Sequence, residues 1–231
     1  MTTDAEKAVE VAGFIILGSL GADDTAISSA PEGTRMLLLI GWGGGGSWPK
    51  FLASPEYADG APDPLDRWTK RIVDDLSAKM GARPLYPFDG PPWYPFQSWA
   101  LAAGIAYPSP IGLLIHPTYG LWHSYRAALA FDSAMSMDAP RRGPNPCASC
   151  VARPCLATCP IDAYGPGGFN ARACRAHIES ASGHACLDGG CAARDACPVG
   201  RDWRHSDDQI RFHQRSFVAH GFVLPDFASR S

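Results

Sequence analysis

The chain has 231 residues, of which 46% are hydrophobic and 19% charged, and its formal net charge is −3. This composition excludes a disordered polypeptide, and the sequence lacks the run of roughly 20 apolar residues that a transmembrane helix needs. The acidic balance also offers no general basic surface for nucleic acid. We therefore expect a soluble, folded protein of one large domain or two small ones, with neither a membrane nor a nucleic acid as partner.

Helices and strands are both indicated in the first third of the sequence. Residues 4–12 predict a short amphipathic helix, and residues 14–20 and 36–40 predict two buried strands that lie side by side. The second strand leads into the glycine-rich residues 43–46.

The helix with the clearest pattern spans residues 64–80. Its apolar residues recur at helical spacing, Asp63 stands at the N-cap position, and Gly81 follows its last turn. A further helix is expected at residues 97–103, after a stretch rich in proline and aromatic residues.

Residues 111–131 predict two paired strands. A strand over residues 111–116 meets a turn at residues 117–120, and residues 121–131 continue as the partner strand or hairpin arm. The fold class expected from these elements is α+β.

Proline, glycine and charged residues concentrate at residues 138–146, which predicts a linker there. The domains expected on either side are residues 1–138 and residues 139–231. In the second of them, residues 206–218 predict a helix with Ser206 and Gln209 as a capping box.

All eight cysteines lie between Cys147 and Cys197. The N-terminus lacks the basic start and the uninterrupted apolar segment of a secretory signal, so the expected compartment is the cytoplasm. Clustered cysteines in a reducing compartment are more often metal ligands or redox centres than disulfides.

The first four cysteines and the proline after them have a characteristic spacing. They read C-x2-C-x4-C-x3-C-P, whereas bacterial two-cluster ferredoxins have C-x2-C-x2-C-x3-C-P. The gap between the second and third cysteines is two residues longer here than in those ferredoxins. These residues are Cys147, Cys150, Cys155, Cys159 and Pro160.

The later cysteines form a second, incomplete arm. Cys186, Cys191 and Cys197 precede Pro198 in the pattern C-x4-C-x5-C-P, and Cys174 supplies the missing fourth ligand. The total then equals the eight thiolates that two [4Fe-4S] clusters require. Zinc held by four thiolates is the main alternative, and a disulfide framework is a weaker one.

Crossing the two arms as ferredoxins do divides the ligands into two sets. One predicted set is Cys147, Cys150, Cys155 and Cys197. The other is Cys159, Cys174, Cys186 and Cys191. Such clusters chiefly store and pass electrons one at a time.

Residues 113–131 contain the segment His-Pro-x-aromatic-Gly-x-Trp-x-x-x-Arg, which resembles the cobalamin-processing (CblC-type decyanase) family. The matching residues are His116, Pro117, Tyr119, Gly120, Trp122 and Arg126. The resemblance, weaker outside this segment, covers residues 12–135. It implies a nitroreductase-like corrinoid-binding domain in which His116, Gly120, Trp122 and Arg126 contact cobalamin or another corrinoid.

A domain of this kind followed by eight cysteines resembles epoxyqueuosine reductases and, more distantly, corrinoid reductive dehalogenases. In the first of these families an acidic residue before Gly-Pro donates a proton, and Asp89 stands at the comparable place. Tyr119 is a second candidate proton donor. The family's Gly-Lys-Asn stretch is replaced by Ser-Pro-Ile-Gly, and its C-terminal helical extension is missing, which disfavours a transfer RNA substrate.

Many aromatic residues lie in loops rich in glycine and proline, which predicts that some of them line a large ligand cavity. They are Trp42, Trp48, Trp93, Tyr94, Trp99, Tyr107, Tyr119 and Trp122. The glycines at 43–46 would let the backbone approach a flat ligand closely. A phosphate-binding loop is disfavoured because no Lys-Ser/Thr pair follows at the required spacing.

The function expected from these observations is an oxidoreductase in which two [4Fe-4S] clusters pass electrons to a bound corrinoid, reducing it or removing its upper ligand. Its partner would be an electron-donating reductase or flavoprotein. The alternatives are a ferredoxin-type electron carrier without a corrinoid, and an epoxyqueuosine-reductase-like enzyme.

Overall fold

The computed structural model describes residues 4–134 and 143–220. The predicted domain boundary, and residues 138–142 of the predicted linker, lie outside the described residues. The helices and strands, in chain order, are α1 (Asp4–Val11), β1 (Ile15–Gly21), β2 (Met36–Gly43), α2 (Trp48–Leu52), α3 (Pro55–Ala58), α4 (Pro64–Met80), β3 (Arg83–Leu85), α5 (Phe96–Ala102), β4 (Tyr107–Pro108), β5 (Leu114–Ile115), β6 (His123–Phe131), β7 (Tyr164–Gly165), β8 (Gly168–Phe169), α6 (Ala171–Ile178), α7 (His184–Gly189), α8 (Ala192–Asp195) and α9 (Asp207–His220).

A four-stranded sheet in the order β1-β2-β6-β3 forms the centre of the N-terminal part. Each neighbouring pair of strands is antiparallel. The predicted strands β1 and β2 are confirmed, and they lie side by side as expected. The whole of β2 is buried, which agrees with its uninterrupted apolar sequence.

Both faces of this sheet are covered. Successive side chains of a strand point to opposite faces, so Leu38 and Ile40 pack with residues of α1 and α4, whereas Leu37 and Leu39 pack with residues of α5. The result is a mixed α and β architecture with one core on each side of the sheet.

The helix α4 has the predicted bounds, but its N-cap differs from the prediction. Asp63 adopts a left-handed conformation with φ of 51°, and its side chain makes no capping hydrogen bond. Its carboxylate instead lies 3.2 Å from Nε2 of His220, at the end of α9. Gly81 ends the helix in the left-handed conformation, as expected from its position.

The predicted pairing of the strands within residues 111–131 is wrong. β5 is only two residues long and pairs with β4, and β6 pairs with β2 and β3 in the central sheet. The turn itself is present, since His116 and Gly120 form an isolated bridge. The apolar pattern identified both segments as strands but could not show which partner each strand has.

The helix α9 follows the cysteines and packs against the N-terminal part. The indole of Trp48 donates a hydrogen bond to the Asp208 carboxylate at 2.6 Å, and Phe212 packs edge-on against the rings of both Trp48 and Phe51. The predicted capping box is wrong, because the side chain of Gln209 is buried and makes no hydrogen bond within the described residues. In the part of the chain that is described, no helix combines the length and apolar character needed to cross a membrane.

Candidate functional site

The eight cysteines line two separate cavities, four in each. The first cavity, of about 20 Å³, is lined by the thiols of Cys147, Cys150, Cys155 and Cys197. We call this set the first thiol group. Its other walls are mostly apolar, and they include Ile111, Ile115 and Leu121 from the N-terminal part.

The second cavity is larger and more open. Its volume is about 540 Å³, and it is lined by the thiols of Cys159, Cys174, Cys186 and Cys191, which we call the second thiol group. The helix α9 contributes Gln214 and Phe217 to its wall. The structure thus brings the cysteines together in the same two sets that the crossed ferredoxin pattern predicts.

Short local structures hold these thiols in place. Cys155 lies in a 3-10 turn at Pro154–Leu156, and Cys174 lies in α6, whose N-terminus is capped by the side chain of Asn170. Cys191 occupies the N-cap position of α8. The proline, asparagine and helix-start patterns of the sequence therefore position ligands that are far apart along the chain.

The thiols of each group interact with one another. Burial raises the pKa of Cys147, and the neighbouring thiols of the first group raise it further. In the second group, burial together with the thiols of Cys191, Cys159 and Cys186 raises the pKa of Cys174 to about 11. A metal centre that binds here must displace protons, since thiolates are the ligands.

The donor sets fit iron-sulfur clusters. All eight thiols are free, and within residues 4–134 and 143–220 no group of three or more His, Cys, Asp or Glu side chains has the spacing to hold a single metal ion. A four-iron cluster is larger than an ion and is held by four thiolates around it, so its ligands must enclose a cavity. The second cavity, of about 540 Å³, has room for such a cluster, whereas the first, of about 20 Å³, is about the size of one water molecule, so its four thiols must move apart to admit a cluster.

Two hydrogen bonds reach the sulfur atoms of the second thiol group. The backbone N–H of Ala163 donates to Sγ of Cys159 at 3.3 Å, and the hydroxyl of Tyr164 lies 3.3 Å from Sγ of Cys191. Burial raises the pKa of Tyr164, so its hydroxyl keeps its proton and can donate to a thiolate. Hydrogen bonds to sulfur are one of the factors that set cluster potentials.

Arg194 is a residue of this site that the sequence analysis did not identify. Its guanidinium donates two hydrogen bonds to the carbonyl of Leu121, at 3.0 and 2.7 Å, and lies 4.2 Å from the ring centre of Trp122. It also lines the second cavity. Its position three residues after Cys191 is the one sequence signal that could have indicated it.

Three of the four predicted corrinoid contacts lie where the N-terminal part meets the cysteine region. A Cβ at Gly120 would overlap the carbonyl of Val199, so the absence of a side chain permits this close approach. Trp122 packs against Arg194 and against the ring of His205. His116 lies beside Tyr119, at 4.7 Å between ring centres.

The imidazole of His116 is neutral and fixed in one tautomer. Its Nδ1 accepts hydrogen bonds from the backbone N–H groups of Thr118 and Tyr119, at 3.0 and 3.3 Å. Burial lowers its pKa to about 4. The neighbouring His123, whose Nδ1 lies 3.1 Å from the carbonyl of Gly120, also has its pKa lowered to about 4, mainly by burial.

Arg126, the fourth predicted corrinoid contact, lies elsewhere. Its guanidinium binds the Asp66 carboxylate at 2.6 Å and the Thr69 hydroxyl at 3.0 Å. It lines a third cavity, of about 650 Å³, between the start of α4 and α9. The cavity also contains His213, whose pKa is lowered to about 4, mainly by burial.

The two predicted proton donors have separate surroundings. Asp89 is exposed and lies at the end of a turn, in which its backbone N–H donates a hydrogen bond to the carbonyl of Tyr86. Tyr119 packs edge-on against Trp203, at 4.9 Å between ring centres, and burial raises its pKa. Their catalytic roles stay predictions.

Half of the eight loop aromatics pack inside the protein, and the expectation that some of the set line a ligand cavity stays a prediction. These four are buried in the protein interior: Trp42, Trp48, Trp99 and Trp122. The space above the glycine-rich loop is also filled, because Tyr119 packs against Gly43 and Trp203 packs against Gly44. These glycines allow close packing within the chain.

Comparison with solved structures finds proteins of similar fold. The B12-trafficking protein CblC of C. elegans is 18% identical, with a TM-score of 0.54, and the match covers 94% of this chain and 92% of that one. The epoxyqueuosine reductase of Streptococcus thermophilus is 17% identical, with a TM-score of 0.49, and the match covers 86% of this chain and 65% of that one. An epoxyqueuosine reductase bound to a tRNA-Tyr stem loop is 16% identical, with a TM-score of 0.48, and the match covers 87% of this chain and 66% of that one.

These similarities concern the fold. The chain spans slightly less than two thirds of the length of either epoxyqueuosine reductase and most of the length of CblC. No protein-family model matches the sequence, and no curated protein matches it. The similarity in fold to CblC agrees with the resemblance that the sequence motif suggests.

Proposed function

We propose that the chain is an iron-sulfur redox protein that holds two [4Fe-4S] clusters, one at each thiol group, and passes electrons to a corrinoid bound by the N-terminal part. The observation that carries this proposal is the division of the eight thiols between two cavities, four in each. Four thiolates are the full ligand set of one such cluster, so neither group has a missing or surplus ligand.

The residues around each group have different tasks. At the first thiol group, Ile111, Ile115 and Leu121 exclude water from the ligands. At the second, Ala163 and Tyr164 direct hydrogen bonds at two of the sulfur atoms and stabilise them as thiolates. A bound cluster supplies one-electron transfer at each position, and the surrounding chain sets its potential.

Three observations support a corrinoid as the electron acceptor. The sequence matches the His-Pro-x-aromatic-Gly-x-Trp-x-x-x-Arg segment of cobalamin-processing proteins, and the fold is similar to that of a B12-trafficking protein. The third cavity, of about 650 Å³, is in the size range of small-molecule sites and would enclose part of a corrinoid. Arg126 is the matched residue that lines it, and it offers a hydrogen-bonding cation at the cavity wall.

A bound corrinoid would supply a redox-active cobalt with a displaceable ligand, which would be released on reduction. The chain's own contribution is to hold Arg126 in one orientation at the cavity wall through Asp66 and Thr69. Asp89 and Tyr119 remain the candidate proton donors if the final substrate is organic. A separate reductase or flavoprotein would supply the electrons.

A ferredoxin-type electron carrier is the competing function. The packing of Trp203 and Tyr119 over the glycine-rich loop favours it, since that surface is not open to a flat ligand. An epoxyqueuosine-reductase-like activity is the third candidate, and turnover of an epoxide-bearing RNA would identify it.

Cobalamin titration of the full chain, purified anaerobically and loaded with iron and sulfide, separates these functions. We expect about eight irons per chain, saturable changes in the visible spectrum of cobalamin, and a cobalt(II) spin-resonance signal without a nitrogen ligand after reduction with dithionite. The Arg126→Gln variant should bind cobalamin at least tenfold more weakly. Arg35→Gln, a change outside the third cavity, is the control.

The outcomes are distinct. A full iron content without any response to cobalamin would establish the carrier and contradict the corrinoid. Equal cobalamin affinity in the wild-type chain and the Arg126→Gln variant would exclude the third cavity as its site.

A further inference from the structure

Arg194 is a partly buried cation that has no acidic partner among the described residues. Its hydrogen bonds go to the carbonyl of Leu121, and no carboxylate among the described residues forms an ion pair with it. Burial lowers its pKa to about 10, so the guanidinium stays charged at neutral pH. Burial of a charge is costly unless an opposite charge compensates it.

The neighbouring arginine shows how this protein ordinarily compensates such a charge. Arg204 lies 5.9 Å from the ring centre of the same tryptophan, Trp122. It forms ion pairs with Asp195 at 2.6 Å and with Asp207 at 3.0 Å. Arg194 lies closer to that ring and is more deeply buried, yet it lacks such a partner within the described residues.

A negative charge that compensates Arg194 would lie in the cavity of the second thiol group. Arg194 lines the same cavity as the four thiols of the second group, and the groups that act on it electrostatically are Cys191 and Tyr164. An iron-sulfur cluster with four thiolate ligands is an anion, and it gains a further negative charge when it is reduced. The cavity therefore places an unpaired cation beside the site of that anion.

Among the described residues, the first thiol group has no arginine equivalent to Arg194. Arg153 lines its cavity, but this arginine is exposed to solvent, where water and salt screen its charge. The asymmetry between a partly buried and an exposed arginine is a property of the described residues that does not follow from the cysteine spacing.

We propose that Arg194 is a positioning residue that serves as the counter-ion of the cluster at the second thiol group and holds that cluster against Leu121 and Trp122 of the N-terminal part. This inference rests on the proposed function. In the step concerned, a low-potential donor gives one electron to the cluster and no bond forms or breaks. Because the fixed positive charge favours the reduced cluster, Arg194 raises the reduction potential at this position only.

A redox titration followed by spin resonance tests this assignment on the full chain, with dithionite as the reductant. In the Arg194→Gln variant, the equilibrium constant for reduction of one cluster should fall at least tenfold, which is about 59 mV for one electron. The other cluster should titrate as in the wild-type chain. Arg194→Lys, which keeps the charge, should shift the same cluster by less.

Arg204→Gln is the matched control, because it removes an arginine near the same tryptophan whose charge is already paired. Unchanged potentials in Arg194→Gln, or equal shifts in Arg194→Gln and Arg204→Gln, would overturn the inference. If Arg194→Gln fails to retain the second cluster, the iron content of Arg194→Lys decides the question. A full iron content in Arg194→Lys would support the requirement for a positive charge at this position. A loss of iron equal to that of Arg194→Gln would contradict the inference. A wild-type chain without two clusters would instead overturn the proposed function.

Discussion

The two thiol groups have the same ligands but different surroundings. The first lines a cavity of about 20 Å³ closed by apolar side chains, and the second lines a cavity of about 540 Å³ with a tyrosine hydroxyl and a partly buried arginine in its wall. Solvent exposure, hydrogen bonds to sulfur and nearby charge all affect the potential of a cluster. Two clusters of one type would therefore differ in potential, with the second easier to reduce.

The two surroundings share one wall and differ in another. The N-terminal part lines both cavities, since Ile111 is in the wall of each. The helix α9 lines the second cavity, through Gln214 and Phe217, and does not line the first. Changes in α9 should therefore affect the second group more than the first.

The largest effect is expected when a crossing ligand is removed. Cys197→Ser should lose the cluster at the first group and Cys159→Ser the cluster at the second, so that each variant keeps about four of eight irons. Iron analysis and spin resonance will show which cluster remains. Spectra of Cys197→Ser should match those of Cys150→Ser, and a match to Cys186→Ser instead would show that the arms do not cross.

A smaller effect is expected at the contact that closes the first group. Gly120→Ala should destabilise the protein by about 3 kcal/mol, because the new methyl group overlaps the backbone of Val199 at a residue with φ of +56°. Gly112→Ala, at φ of +77° but with nothing within 4 Å of the added carbon, should cost about 1 kcal/mol. Chemical denaturation measures both, and equal losses would show that the contact with Val199 is unimportant.

Acid should weaken the region between the two parts of the chain. Burial lowers the pKa of His123 from 6.5 to about 4, so the unfolded chain binds an extra proton between these values. Its contribution to stability is complete above pH 6.5 and is lost as the pH falls to 4. Between pH 7 and pH 4, the free energy of unfolding should therefore fall by on the order of 2 kcal/mol less in His123→Gln than in the wild-type chain.

Unfolding free energies at several pH values check this expectation. His184→Gln changes an exposed histidine and serves as the control. An unchanged pH dependence in His123→Gln would show that His123 is not the titrating group.

The smallest effect concerns α9 and the second group. Trp48→Phe removes the indole hydrogen bond to Asp208 and should cost about 1 kcal/mol of stability. Because α9 covers the second cavity, the spin-resonance signal of that cluster should broaden while the other stays sharp. Trp93→Phe, at a side chain that is 51% exposed, should change neither quantity. Broadening of both signals would argue against a separate role for α9.

The sequence predicts the parts of the fold that depend on local pattern. The helix α4 and the strand β2 have an apolar periodicity that needs no knowledge of their partners, and both were predicted closely. The pairing within residues 111–131 failed because β6 hydrogen-bonds to strands that are distant in the chain. Gln209 failed as a cap because its side chain is buried.

The candidate site shows the same limit. The division of the cysteines into two groups follows from their spacing, since the crossed pattern of ferredoxins is encoded along the chain. The burial of Arg194 without a carboxylate depends on Leu121 and Trp122, which lie about 70 positions earlier in the sequence. The separation of Arg126 from His116 likewise depends on the tertiary packing of β6 against α4.

Iron-57 Mössbauer spectroscopy of the full chain, prepared without oxygen from cells that assemble iron-sulfur clusters, tests whether the eight cysteines hold two clusters. We expect all of the iron in four-iron clusters, at about eight irons per chain, in two populations that reduce at different potentials. A chain that carries zinc, or one that stays free of iron after reconstitution, would contradict this expectation.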